Sequence, residues 1–236
     1  MDTRTQMLEA AERLLDDSPD RDIATRAVCE AVGVGAPVLY RLFGDKNGLL
    51  SALVDYGFER YLGAKRSAGH TEDPVADLRR GWDAHNGFAL AHPAVYRLMF
   101  SPHLAQVPGA SKEAFSLLER TLVRCAAAGR LRVGPHRAAQ AIMSANVGVA
   151  LSMVSQPDVY TDPGLSHRVR DAVFAGLLTG DPVPGDADPA EPEPGAGAAA
   201  LRLAALLSDG SDALTGAESA LLREWLDRIA AGVPRA

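Results

Sequence analysis

The sequence predicts an all-α chain, a small N-terminal three-helix unit joined to a helical bundle. Apolar residues recur at three- and four-residue spacing almost throughout. Prolines 19, 74, 93, 102 and 157 fall at the edges of those periodic stretches, where a missing amide proton and a fixed φ do least harm. No convincing alternating strand interrupts the pattern, and Arg130 to Val133 is too short to count.

Helix one is expected from about Thr3 to Asp16, with Met7, Leu8, Ala11, Leu14 and Leu15 on one stripe. Two short helices follow within Thr25 to Asn47, around the turn Gly33-Val34-Gly35. Glycine at that turn takes the positive φ that ends one helix and lets the next leave steeply. Pro37 fits only in a first helical turn, so the third helix starts near Gly35 or Ala36. Val28, Ala31 and Val34 before the third helix, and Val38, Leu39, Leu42 and Phe43 within it, give the pair a shared small core. A fourth helix, about Lys46 to Lys65, begins with Leu49, Leu50, Leu53 and Val54 and connects to the body. Further helices are expected over Pro74 to His92, Ala94 to Phe100, Ser111 to Ala128, His136 to Ser155 and Gly164 to Thr179. Residues 181–200 combine proline, glycine and acidic groups with no large apolar side chain, which reads as a disordered linker. Beyond it, Leu201 to Leu207 and Glu218 to Ile229 resume helical patterning in a 201–236 tail, with Thr215 and Glu218 spaced as a capping box.

A helix that enters the DNA major groove needs short residues in its first turn and longer polar ones a turn later. Gly35, Ala36 and Pro37 are short, and their surface suits thymine methyl groups. Arg41 has the reach for guanine O6 and N7 or for a phosphate, and Arg26 is a second candidate base reader. Val38 stands on the same helix. Thr25, Tyr40 and Lys46 have the character of phosphate contacts: a hydroxyl at a helix start, a phenol on the helix face and an ammonium in the next loop. The plainer alternatives are Tyr40 packed on helix one, Lys46 a solvated loop lysine, and Arg26 paired with Glu30 one turn on.

At GVGAPVLYRLFGDK and the following GLL, residues 33–46 and 48–50, the chain resembles the N-terminal domain of the TetR family of bacterial transcriptional regulators. The family pattern is roughly G-V-S-x-x-T-L-Y-x-H/Y-F-x-S/N-K-x-x-L. The resemblance extends weakly back over Thr5 to Asp16 and forward to about Tyr61. It implies an N-terminal helix-turn-helix DNA-binding domain, residues 1–48, joined to a helical-bundle ligand-binding and dimerisation domain, residues 66–180. Three positions depart from the pattern. Gly35 replaces the Ser or Thr cap, a loss of about a few tenths of a kcal/mol. Val38 replaces a polar Thr, and Leu42 stands where His or Tyr is common, so fewer polar groups remain to read bases.

The whole chain carries net charge −6, which argues against a loose coating of nucleic acid. The deficit is local. Residues 1–180 hold 20 basic and 20 acidic side chains, whereas residues 181–236 hold four basic and ten acidic. Between Arg21 and Gly48 the balance is four basic to three acidic, a thin margin that favours specific over general DNA binding. Cys29 and Cys125 match no metal spacing and fit a reduced compartment. No basic leader with a following apolar stretch is evident, and no apolar run approaches the ~20 residues of a membrane span. A cytoplasmic protein without membrane association is expected.

Aromatic residues make up only 6% of the chain, yet residues 82–118 gather Trp82, His85, Phe88, His92, Tyr96, Met99, Phe100, His103 and Phe115. Apolar and aromatic groups with a few fixed polar ones are the lining of a small-molecule pocket, although aromatics at helical spacing also build ordinary cores. Met143, Asn146 and Ser144 lie on the apolar helix His136 to Ser155. That helix and Gly164 to Thr179 are apolar on more than one side, which suits half of a four-helix homodimer interface, as the resemblance also implies. The expected function is a homodimeric repressor that binds a palindromic operator in double-stranded DNA and is released by a small apolar or aromatic effector. No nucleophile motif, metal spacing or phosphate loop is evident, so neither an enzyme nor a cofactor is expected. The alternative is a helical small-molecule-binding or interaction protein without specific DNA binding.

Overall fold

A computed structural model describes residues 2–18, 22–67, 69–100, 109–180, 195–208 and 213–231. Among them are eleven helices: α1 Thr3–Asp16, α2 Thr25–Val32, α3 Ala36–Phe43, α4 Lys46–Ser67, α5 Pro74–Ala91, α6 Pro93–Met99, α7 Gly109–Ala127, α8 Pro135–Ser155, α9 Leu165–Leu177, α10 Ala196–Leu206 and α11 Gly216–Ala230. The helical periodicity is therefore realised with boundaries displaced by a few residues. The one strand-like feature among the described residues is an isolated antiparallel bridge between Leu131 and Leu178.

Contacts group the chain into two compact units. The first is Met1–Gly69 with Asp83–Ala114 and Gly148–Pro163; the second is His70–Trp82 with Phe115–Val147 and Gly164–Ala236. The unit that holds the helix-turn-helix thus also takes in stretches of the expected body.

In the first unit, α1 packs on α2, α4 and α6, and α3 is held by α2 and α4. Its core joins Met7, Leu8, Ala11 and Leu15 of α1 to Val28, Cys29, Leu39, Phe43, Leu49 and Leu53, with Ala94 and Val95 of α6. A smaller cluster sets Ala89 and Tyr96 against Ala150 and Val154. Two glycines matter for close approach. A Cβ at Gly48 would fall far inside contact with the Phe43 carbonyl oxygen, and one at Gly57 would collide with Val95 Cγ1.

In the second unit, Trp82 is buried, donates its indole N–H to Ser166 Oγ at 2.9 Å and meets Phe174 edge-on. Asp77 accepts from Thr71, Arg80 and Arg124. Burial raises its carboxyl affinity for protons, but these hydrogen bonds outweigh that and hold it well below the usual carboxylate range. α10 and α11 pair as a hairpin, and the Thr215–Glu218 capping box forms as the spacing predicts.

Two expectations need correction. Residues 196–200, assigned to the linker, form the first half of α10, because their alanine content favours a helix; residues 181–194 lie outside the described residues. α8 is, by length and composition alone, apolar enough to cross a membrane, contrary to the reading that no such run exists; 39% of that window is buried inside the fold.

Candidate nucleic-acid interface

The turn between α2 and α3 is built as the glycines require. Gly33 takes φ +71°, and the Val34 amide donates to the Cys29 carbonyl at 3.0 Å, closing the end of α2. Gly35 is the N-cap of α3 in extended conformation, and Pro37 stands in its first turn. Neither α2, capped by Ala24, nor α3 has a side-chain cap hydrogen bond. In α3, however, Pro37 has no N–H and the Val38 amide already donates to the Gly35 carbonyl, and in α2 the Ala27 amide donates to the Ala24 carbonyl. Among the described residues this leaves the Thr25, Arg26 and Ala36 amides as donors for an anion such as a phosphate.

α3 has two sharply different faces. Leu39 and Phe43 are in the core, and Val38 and Leu42 are half-buried against it. Gly35, Ala36, Pro37, Tyr40 and Arg41 are exposed, with Tyr40 53% accessible. Tyr40 is thus free of the packing on helix one that was its plainer alternative. Val38, a candidate base contact, is half-buried against the core. The charged candidates differ in state. Arg26 Nε lies 2.7 Å from Glu30 Oε1, the i+4 pair anticipated above, with both side chains largely exposed. Lys46 is the first residue of α4, not a loop residue, and is ion-paired with Asp22. That hydrogen bond is the main reason the Asp22 carboxyl titrates below its ordinary value. Arg41, at the C-terminal turn of α3, is exposed. From α1, Arg4 donates to the Leu42 carbonyl at 3.3 Å and lies over the Phe43 ring, so it braces the end of α3. Asp45 Oδ1 accepts from the Gly48 amide at 2.7 Å, which fixes the tight step into α4.

Residues 7–53 match the family model of bacterial regulatory proteins, tetR family, and residues 78–170 match the tetracyclin repressor-like C-terminal domain. The chain belongs to the TetR family. Nucleoid occlusion factor SlmA of Marinomonas sp. (strain MWYL1) is 30% identical over 105 residues, 44% of this chain and 53% of that protein. The chain thus spans about half the length of the curated relative it matches. A protein of unknown function from Rhodococcus sp. RHA1 superposes with TM-score 0.63 at 25% identity over 76% of this chain and 97% of its own. NalD, the secondary repressor of the MexAB-OprM multidrug efflux pump in Pseudomonas aeruginosa, shares the fold at TM-score 0.53 and 20% identity, covering 75% and 96% of the two chains.

The candidate effector residues of this TetR-family chain fall into separate groups. His85, Phe88, Tyr96 and Phe100 gather in the first unit. His85 is buried between two phenols, with Tyr61 Oη 2.8 Å from Nδ1 and Tyr96 Oη 2.6 Å from Nε2. Burial, helped by the nearby Lys65 charge, pulls His85 down to about 3, so the ring is neutral at ordinary pH. Phe88 stacks obliquely on Tyr61 and Phe100 on Tyr96. Met99 instead packs with the helix-turn-helix core near Gly57. Trp82, Phe115, Met143 and Asn146 belong to the second unit, Phe115 facing His136 at 5.4 Å between ring centroids. His103 lies outside the described residues. Tyr61 and Lys65 were not anticipated, since both stand on α4, read in the sequence as a connector.

Proposed function

We propose that the chain is a homodimeric, sequence-specific DNA-binding transcriptional regulator, a repressor released from a palindromic operator by a small effector. The exposed Gly35–Ala36–Pro37–Tyr40–Arg41 face on a helix anchored by Leu39 and Phe43 carries this reading. Its short first turn allows close backbone approach to base edges, and Arg41 follows at base-reading distance along the helix. The Thr25, Arg26 and Ala36 amides, with the side chains of Thr25, Tyr40 and Lys46, supply phosphate contacts that set register. Functionally, residues 1–48 are the DNA-binding head and residues 66–180 the regulatory body.

Dimerisation is supported by α8 and α9. Gln140, Ala141 and Ser144 of α8 and Ala172, Ala175 and Gly176 of α9 are exposed and mostly small, which permits close helix approach to a second copy. A dimer would set two heads roughly 34 Å apart, one turn of DNA, on an operator with two-fold symmetry. NalD, similar in fold, is itself a repressor. Coupling of roughly 1–3 kcal/mol between effector and operator changes affinity about 5- to 150-fold. Selection of genomic DNA fragments on the purified protein at several salt concentrations tests the reading. One enriched palindrome supports it, and no enrichment at low salt overturns it in favour of a binding protein of another kind.

A further inference from the structure

The Tyr61–His85–Tyr96 relay holds more protons than it can use internally. A neutral imidazole has one N–H and one lone-pair nitrogen. Of the two phenols at 2.8 and 2.6 Å, one therefore donates to the ring and the other accepts from it. The accepting phenol keeps its own O–H, and neither hydroxyl has another hydrogen-bond partner among the described residues. Tyr61 is 4% exposed and Tyr96 1%, so this spare donor is buried, a costly state unless an acceptor arrives.

Beside the relay stands a half-buried cation. Lys65 Nζ lies over the Tyr61 ring, 4.9 Å from its centroid, and no carboxylate among the described residues pairs with it. Its neighbour Arg66 differs, being held by Glu113 through two hydrogen bonds of 2.8 Å. Desolvation pulls the Lys65 ammonium down to about 8, with no compensating anion to hold it up. Phe88 and Phe100, both half-buried, flank the phenols with flat apolar surface. All of these residues belong to the first unit.

We propose that this cluster receives the carboxylate of an aromatic acid, with Lys65 and the unspent phenol proton as its donors and Phe88 and Phe100 against its ring. This rests on the effector-gated reading above and names the chemical class of the effector. A carboxylate is an acceptor with no proton to place, which suits both an ammonium and a phenol donor. A neutral amide of the same shape brings an N–H₂ and no charge, and leaves Lys65 uncompensated.

The test compares benzoate and 2-naphthoate with benzamide and 2-naphthamide on the full-length protein, by calorimetry and thermal shift without DNA. The acids are expected to bind at least about tenfold more tightly than their amides. Lys65→Gln is expected to remove that difference while leaving the amides unchanged, and Tyr61→Phe and Tyr96→Phe to weaken the acids less. Equal binding of acid and amide, no binding by either acid, or a preference that survives in Lys65→Gln overturns the proposal. The acid–amide comparison on the unaltered chain decides even if a variant misfolds. Parallel DNA-binding assays separate the two readings. An acid that binds through Lys65 without changing DNA affinity overturns gating alone, and release from DNA by the amides as readily as by the acids overturns the carboxylate site alone.

Discussion

Glu12 of α1 and His92, the N-cap of α6, share a 2.6 Å hydrogen bond. Arg60 of α4 closes on both, 3.1 Å from Glu12 Oε2 and 3.1 Å from His92 Nε2. Asp16, one turn further along α1, accepts from the Ala94 amide at 2.9 Å. Three helices of the first unit therefore meet at one polar joint, which ties α6 to α1, the helix that packs on α2.

Replacement of Glu12 by alanine leaves Arg60 and His92 facing an emptied, largely buried position. The expected loss is about 1–3 kcal/mol of unfolding free energy, read from urea denaturation. Glu12→Gln, which keeps an acceptor, is expected to lose less.

Glycines on α4 separate steric need from helix propensity. Gly48→Ala must displace backbone at Phe43, since the clashing atom is a carbonyl oxygen. A lowered melting temperature and weakened DNA binding are expected. Gly63, on the same helix with open space around it, is expected to respond oppositely: alanine there removes unfolded-chain entropy and stabilises by up to about 1 kcal/mol.

His85 gives a pH dependence of defined sign. Its folded value, about 3, lies below the ordinary 6.5, so the unfolded chain binds the extra proton between those limits. Stability contributed by the neutral ring is complete above pH 6.5 and declines as pH falls toward 3. The slope approaches about 1.4 kcal/mol per pH unit. The groups facing the ring are Tyr61, Tyr96 and Lys65, and none of the three alters the sign. Unfolding curves between pH 6.5 and 5 are expected to show this decline, and His85→Gln to flatten it.

The Lys46–Asp22 pair sets a prediction about salt. Lys46→Ala is expected to weaken binding to all DNA sequences alike and to reduce the slope of log affinity against log salt by about one. Asp22→Asn frees the ammonium and is expected to strengthen non-specific binding.

Local features were legible in the sequence because their causes are local. The helix phases, the left-handed turn at Gly33 and the capping box at Thr215 each depend on residues within a turn or two. The two-sided character of α3 followed from Leu39 and Phe43 alternating with Tyr40 and Arg41. What escaped depends on residues distant in sequence. Gly57 looks like any helical glycine until Val95 arrives against it, and Met99, grouped by sequence with the pocket aromatics, packs there instead. Lys65 reads as an ordinary basic residue complementing a helix C-terminus. Only the approach to Tyr61 of His85, itself bonded to Tyr96, gives it chemical meaning. The grouping of contacts also follows no linear boundary, since it divides α5, α7 and α8.

The most direct test measures Arg41→Ala against the unaltered protein on the selected DNA site and on single base-pair variants of it, at several salt concentrations. The account predicts that the substitution costs about 1–3 kcal/mol at one symmetric pair of positions and relaxes preference there. Unchanged affinity and unchanged base preference in Arg41→Ala would contradict the claim that the exposed face of α3 reads DNA.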